Sequence, residues 1–289
     1  MMKYPIIMLN SQTISKIEEF VYAKPRSIQE IAACIEKNWR TADRYVDEIE
    51  KNLGTLSTRV FRGGTRGALK IVYWSSVEKV SHSIFQERLE KDILTLKKKE
   101  DFSAFDIYQY VPEKSRSFSV QNIDEGTDEG NLENFGELIL GAKKQILFFS
   151  GNLSFINGKC KKGALYNIFE ELVKRKVSIK VICRVGLNGK ENVEKVLALN
   201  SKYGRELIEV RYCIQPLRGF IVDGKFASLK EIKLPTKKAN ELKKPILIFY
   251  SISDKSWVEW LSGLFWKQFS NSMDANKRLE QLKAIKLPI

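Results

Sequence analysis

Asn38-Trp39-Arg40-Thr41-Ala42-Asp43-Arg44-Tyr45 is the stretch on which the reading of this chain turns. Lys37 and Asn38 supply turn chemistry. From there apolar residues recur at Ala42, Tyr45, Val46, Ile49 and Leu53, the spacing of one helix face, until Gly54 gives the expected stop. Arg40, Thr41 and Arg44 fall on the other side, within a turn of the start. Upstream, Ser27 and Glu30 have the spacing of a capping box, opening a helix with Ile28, Ile31, Ala32 and Ile35 inward. Before it, Ser11 to Ala23 carries Ile14, Ile17, Phe20 and Val21 as a helical stripe that stops ahead of Pro25. Downstream, Thr55 to Trp74 is rich in β-branched and aromatic residues and is broken by Gly63, Gly64 and Gly67, which reads as two strands joined by a Gly-rich hairpin.

Three helices followed by a hairpin is the order of a winged helix-turn-helix, and residues 1–75 are read as such a DNA-binding domain. A helix that enters the major groove needs an apolar inner side and a short polar outer side near its N-terminus. Arg40, Thr41 and Arg44 meet that need as readers of base edges or phosphates. The hairpin adds Arg59, Arg62, Thr65, Arg66 and Lys70, whose cations suit the phosphate backbone or the minor groove. From Ser57 to Val72 there are four basic residues and no acids. Asp47, Glu48 and Glu50 come later on the third helix, where it would be leaving the groove. Trp39 is read as packing against the wing, with stacking on sugar or base as the alternative.

Residues 76–115 are read as a helical connector. Ser76 to Lys99 repeats Val77, Val80, Ile84, Leu89, Ile93 and Leu96 between charges, which fits either a helix packed on its own domain or a dimerisation helix. Asp101 to Pro112 is aromatic and expected to be packed. Ser115 to Gly136 reads as an exposed linker: Asp124, Glu125, Asp128, Glu129 and Glu133 gather there, and no Lys or Arg occurs from Ser117 to Ala142.

Residues 116–289 are assigned to an α/β domain. Strands are expected at Gln145 to Phe149, Ser178 to Val185, Ile208 to Ile214, Gly219 to Val222, Ala227 to Ile232 and Pro245 to Ile252. Helices are expected at Ala164 to Arg175, Glu191 to Tyr203 and Lys255 to about Asn271. That alternation predicts a largely parallel sheet covered by helices. The lysine-rich Leu229 to Pro245 reads as a solvated connection between strands, with a second DNA contact as the alternative.

Ile146 to Ser154, the following helix and strand, and Pro216-Leu217-Arg218-Gly219-Phe220-Ile221-Val222-Asp223 together resemble a phospholipase-D-like half-domain. With a winged helix and connector before it, the chain resembles the archaeal TrmB-like transcription regulators. In the enzymes of that superfamily, the resemblance implies, a nucleophilic His precedes a Lys by two residues and an Asp by seven. Aligned on Asp223, those positions hold Pro216 and Arg218. Proline cannot attack phosphorus, and the sole histidine, His82, lies far outside the motif. The reading is therefore of no catalytic residues and no enzyme. A DNA-targeted phosphodiesterase or nuclease and a non-specific architectural DNA binder are the alternatives. Ser150, Asn152, Arg218 and Asp223 are read as a degenerate ligand pocket, against the alternative that Arg218 and Asp223 form a buried pair that only braces the fold. The family's sugar ligands find no matching residue pattern here.

Composition is consistent with these readings. With 49 Lys+Arg against 35 Asp+Glu, a formal charge of +14 favours an anionic partner. Cys34, Cys160, Cys183 and Cys213 make no metal-ligand spacing, so neither metal nor cofactor is expected, and a reducing compartment fits best. The apolar run Pro5 to Leu9 is too short for a signal peptide and no stretch reaches membrane-spanning length, so the expected location is the cytoplasm. The expected partners are double-stranded DNA, a second copy of the chain in a homodimer, and a small anionic or sugar ligand.

Overall fold

The computed structural model describes residues 10–62, 68–75, 82–122, 133–235, 242 and 244–284. Thr65, Arg66, the three hairpin glycines and residues 76–81 of the connector lie outside the described residues. The chain divides into two units, Met1–Ile84 with Leu234–Lys244 and Phe85–Lys233 with Pro245–Ile289.

The first unit runs α1 (Ser11–Ala23), β1 (Arg26–Ser27), α2 (Ile28–Cys34), α3 (Trp39–Asn52), β2 (Leu56–Arg62) and β3 (Ala68–Trp74). Three local devices set it out. The capping box at α2 is complete: Ser27 N donates to Glu30 Oε2 at 2.7 Å, and Glu30 N donates to Ser27 Oγ at 3.2 Å. At α3, Asn38 Oδ1 accepts from Thr41 N at 2.9 Å, satisfying a backbone donor that the helix cannot. Gly54, at φ +67°, takes the left-handed conformation that ends α3, and its N–H donates to Ile49 O at 3.0 Å. β1, β3 and β2 form an antiparallel sheet in that order, with Arg59 opposite Ile71 and Arg62 opposite Ala68. The helices bury Ile17, Val21, Ile31, Ala42, Val46 and Ile49 together with Leu56 and Val72, and Trp39 packs against this core.

The second unit holds most of α4 (His82–Thr95), then α5 (Phe105–Tyr108), β4 (Arg116–Asn122) and α6 (Glu133–Leu140). Next come β5 (Gln145–Phe149), the short hairpin β6 (Lys159–Cys160) and β7 (Gly163–Ala164), α7 (Leu165–Lys174) and β8 (Ser178–Cys183). The chain continues through α8 (Lys190–Tyr203), β9 (Ile208–Tyr212), β10 (Gly219–Val222), β11 (Phe226–Lys233) and β12 (Ile246–Ile252). It ends with α9 (Lys255–Ser270), β13 (Met273–Asp274) and α10 (Ala275–Ala284). Eight strands make one mixed sheet in the order β13-β9-β8-β5-β10-β11-β12-β4. The expectation of a largely parallel sheet is corrected. Only β5–β8 and β8–β9 are parallel, each pair joined through a helical crossover, whereas β10 runs antiparallel to β5 and β11, and β11 antiparallel to β12. The linker reading of residues 115–136 is also corrected at its start, since Arg116–Asn122 is an edge strand paired along β12 from Ile252 to Ile246.

Both faces of the central strands are covered, which is why they read as apolar runs. Ile146 and Phe148 of β5 point into a core with Leu165, Phe169 and Leu172 of α7 and Val193 and Val196 of α8. Phe149 points the other way, against Phe265 of α9, with ring centroids 5.3 Å apart. On that side Phe85 stacks on Tyr110 at 4.2 Å, Tyr110 lies parallel to Trp257, and Leu89 and Ile93 are buried. Leu89 and Ile93 of the connector's apolar stripe are thus used inside this unit. No helix among the described residues is long and apolar enough to cross a membrane.

Candidate nucleic-acid interface

On α3 the inward stripe leaves a narrow outer face. One hundred degrees of turn per residue puts Arg40, Arg44, Asp47 and Lys51 on it. Arg40 and Arg44 are exposed, and Thr41 is half-buried. The Arg40 guanidinium lies 5.6 Å from the Trp39 ring centroid and that of Arg44 5.5 Å from Tyr45. These rings limit where the side chains wander without engaging their N–H donors. Arg44 also stands 4.0 Å from Glu48, a loose i,i+4 pair on a side chain that remains half exposed.

The acids of α3, which would repel a phosphate backbone, are mostly engaged by the hairpin. Lys70 of β3 donates to Asp43 Oδ1 at 2.8 Å and Asp47 Oδ1 at 2.5 Å. Burial works against the charge of Lys70, but the two carboxylates outweigh it and raise its pKa. Glu50 accepts from Thr58 N at 2.9 Å and from Thr58 Oγ1 at 3.0 Å. Lys70 therefore joins β3 to α3 and is not a free phosphate anchor as expected from its sequence position. Of the other hairpin residues, Arg59 is half-buried in β2 and Arg62 is exposed at the strand's end. Thr65 and Arg66 lie outside the described residues.

The four residues read as a degenerate pocket separate into two places in the second unit. Ser150, Gly151 and Asn152 leave the C-terminal end of β5, beside Arg218 at the start of antiparallel β10. Ser150 is buried: its N–H donates to Ile182 O at 2.9 Å, its Oγ accepts from Leu153 N at 3.1 Å, and its carbonyl accepts from Gln215 Nε2 at 3.1 Å. Asn152 Oδ1 accepts from Ser154 N at 3.2 Å. Asp223 is at the other end of β10. Five residue steps at ~3.3 Å each place it on the order of 16 Å from Arg218 along the chain. There it accepts from Lys143, Lys144 and Gln145 N–H groups at 2.9, 2.8 and 2.9 Å, holding the entry to β5. Burial opposes its charge, and the three N–H donors overcome this and lower its pKa. The reading of Asp223 as a pocket residue is corrected, and so is its pairing with Arg218.

Arg218 is mostly buried. Its Nη1 donates to Leu217 O at 2.6 Å and Gln215 O at 3.2 Å. Its guanidinium lies so close over Gly151 that a Cβ there would stand 3.1 Å from Nε, tight enough to displace the side chain. Among the described residues no carboxylate forms an ion pair with it. Burial, followed by the positive charge of Arg184, lowers its pKa to about 10. Arg184 is exposed and its N–H donates to Gly151 O at 2.7 Å, which fixes both arginines around one strand end. Arg184 and Gln215 carry no mark in the sequence as members of this cluster, because they come from different loops. Among the described residues no group of His, Cys, Asp and Glu could hold a metal ion.

No protein-family model matches the chain, and no curated protein does. Solved structures similar to it include TrmBL2, an archaeal chromatin protein described with a novel mode of DNA binding. That chain is 16% identical, with a TM-score of 0.40, covering 93% of this chain and 95% of that one. The phospholipase D family member Nuc from Salmonella typhimurium is 18% identical with a TM-score of 0.36, covering 55% of this chain and 97% of that one. NucT from Helicobacter pylori is 12% identical with a TM-score of 0.37, covering 55% of this chain and 99% of that one. At these identities and scores the likenesses carry no argument about activity, which rests on the residues themselves.

Proposed function

We propose that this chain is a sequence-specific double-stranded-DNA-binding transcription regulator. Its first unit is a winged helix-turn-helix, with α3 in the major groove and the β2–β3 hairpin as the wing. The observation that carries this reading is the division of charge on α3. Arg40 and Arg44 stay exposed while Lys70 and Thr58 occupy Asp43, Asp47 and Glu50. A face that is cationic near the helix start, with its acids neutralised from behind, suits a polyanion and base edges together. Arg40, Thr41 and Arg44 are the readers, and Arg62, with Thr65 and Arg66, anchors phosphates. The regulator acts as a homodimer on paired half-sites.

The second unit is proposed to be catalytically inert. Pro216 occupies the position where a nucleophilic His would stand, and Arg218 donates to backbone carbonyls in a protein interior. Its mostly buried guanidinium, with no carboxylate in ion-pair contact among the described residues and with Arg184 beside it, favours a small anion over a sugar, although Glu100 acts on it at longer range.

Fluorescence anisotropy with specific and scrambled duplexes tests the assignment. Arg40→Ala and Arg44→Ala should each reduce discrimination between the two by about 1–3 kcal/mol, while Arg62→Ala should weaken both alike and lower the salt slope by about 0.9. Equal binding by all three variants and the parent would contradict the contact assignment. Turnover of plasmid or a generic phosphodiester that disappears in Arg218→Ala would instead establish the rival reading, a DNA-targeted phosphodiesterase.

A further inference from the structure

α9 covers one face of the large sheet with Trp257, Val258, Leu261, Leu264, Phe265 and Phe269, all buried. The opposite face of the helix has an arrangement that this packing does not explain. Gly263 sits at its centre, in the middle of a 16-residue helix. Glycine is the least favourable helix residue after proline, and it is tolerated where something must come close. Among the described residues nothing does: a Cβ at Gly263 would meet no atom within 4 Å. Trp260 lies three residues before it and Trp266 three after. Trp260 is half-buried and Trp266 is 36% exposed, an unusual place for the largest apolar side chain. Glu259 lies four residues before Gly263 and Lys267 four after, with side chains 62% and 55% exposed.

All four of these positions fall within about 60° of Gly263 around the helix axis, at 100° per residue. The stripe is thus a palindrome in side-chain character about the glycine: acid, tryptophan, glycine, tryptophan, base. Reversed and laid against itself, it brings Glu259 of each copy opposite Lys267 of the other and Trp260 opposite Trp266. That is the requirement of an isologous contact, in which one surface serves both partners. We propose that the outward face of α9 is a homodimer contact, with two copies of the helix crossing antiparallel at Gly263. The missing side chain lets the backbones approach at the crossing, the tryptophans fill the space to either side, and the two ion pairs fix the direction. The contact rests on the homodimer part of the proposed function and not on its DNA contacts, since it is made by the second unit and tested without DNA.

Sedimentation equilibrium of the full chain, over a wide concentration range, provides the test. Because Lys267 also donates to Glu90 at 2.5 Å within its own copy, the charge series is made in a Glu90→Gln background. Glu259→Lys should raise the dimer dissociation constant by about tenfold or more through like-charge apposition, and adding Lys267→Glu should restore it. Gly263→Cys should yield a disulfide-linked dimer under mild oxidation that the parent, with its four native cysteines, does not form. The open space around Gly263 makes this variant free of local clashes, and circular dichroism checks that the charge variants fold. A parent that stays monomeric throughout would overturn the proposal. So would a dimer indifferent to Glu259→Lys with no cross-link through position 263.

Discussion

Lys70→Met separates the phosphate contact that the sequence suggests for this residue from the ion-pair role that the structure gives it. In the structure the ammonium is shared between Asp43 and Asp47 at 2.8 and 2.5 Å, on a side chain that is one-fifth exposed. Exposed ion pairs contribute about 0.2–1 kcal/mol each, and the partial burial here places both toward the upper end. Removing Lys70 also leaves two carboxylates four residues apart on one helix, a repulsion of a few tenths of a kcal/mol. Methionine keeps most of the apolar stem. The sum is a loss of about 1–2 kcal/mol, read as a lower midpoint in urea at unchanged slope. The pH dependence follows from the raised pKa. The stabilisation is complete below the ordinary lysine value of 10.5 and is lost as pH rises through the higher folded value. The difference between parent and variant should therefore hold across neutral pH and shrink only in strong alkali. For DNA, the variant uncovers Asp47 on the same face as Arg40 and Arg44. Affinity should fall several-fold and be largely recovered by adding Asp47→Asn. The slope of log K against log salt should stay as in the parent. A slope reduced by about 0.9 with unchanged stability would refute the reasoning and make Lys70 a phosphate contact.

Other consequences follow from the second unit. Asp223→Ala leaves three backbone N–H groups at the entry to β5 without their acceptor and should cost about 2–4 kcal/mol in chemical denaturation. Because the folded pKa of Asp223 lies below its ordinary 3.8, its contribution is present above that value and is lost as pH falls through the folded one. An acid titration of the Ala variant should accordingly lack part of the parent's loss of stability; parallel curves would remove Asp223 from that role. If the Arg218 crevice takes an anion, millimolar pyrophosphate should raise the Tm of the parent but not of Arg218→Gln, and equal shifts in both would count against it. Gly151→Ala, which crowds Nε of Arg218 at 3.1 Å, should reduce the same shift.

The local parts of this fold were legible in the sequence, and the long-range parts were not. Ser27 with Glu30, Asn38 and Gly54 act on backbone groups within a few residues, so their chemistry can be recognised from spacing alone. The central strands β5, β8 and β10 are covered on both faces and announce themselves as apolar runs. β4 did not: Arg116-Ser117-Phe118-Ser119-Val120-Gln121-Asn122 is an edge strand with only two large apolar residues, and its partner β12 lies more than 120 residues away. The same distance problem hid the antiparallel half of the sheet, because β10 pairs with the distant β5 and β12 with the distant β4. In the crevice, Arg218 was visible as a cation near a strand, yet Arg184 and Gln215 join it only through sheet order. Asp223 was misplaced for a simpler reason. Five residues apart in an extended strand means opposite ends of the sheet. On α3, spacing identified Arg40 and Arg44 but could not reveal that Lys70 occupies two acids across the hairpin.

The exposed arginines of α3 make a claim about sequence recognition that one comparison tests most directly. Genomic fragments are selected on the full chain, and the best fragment and its scrambled counterpart are titrated at one salt concentration, with the parent and with Arg40→Ala/Arg44→Ala. The account predicts a specificity ratio of about a thousandfold or more for the parent, collapsing toward the non-specific level in the double variant. A ratio near one for the parent, or a ratio the double variant leaves intact, would contradict it.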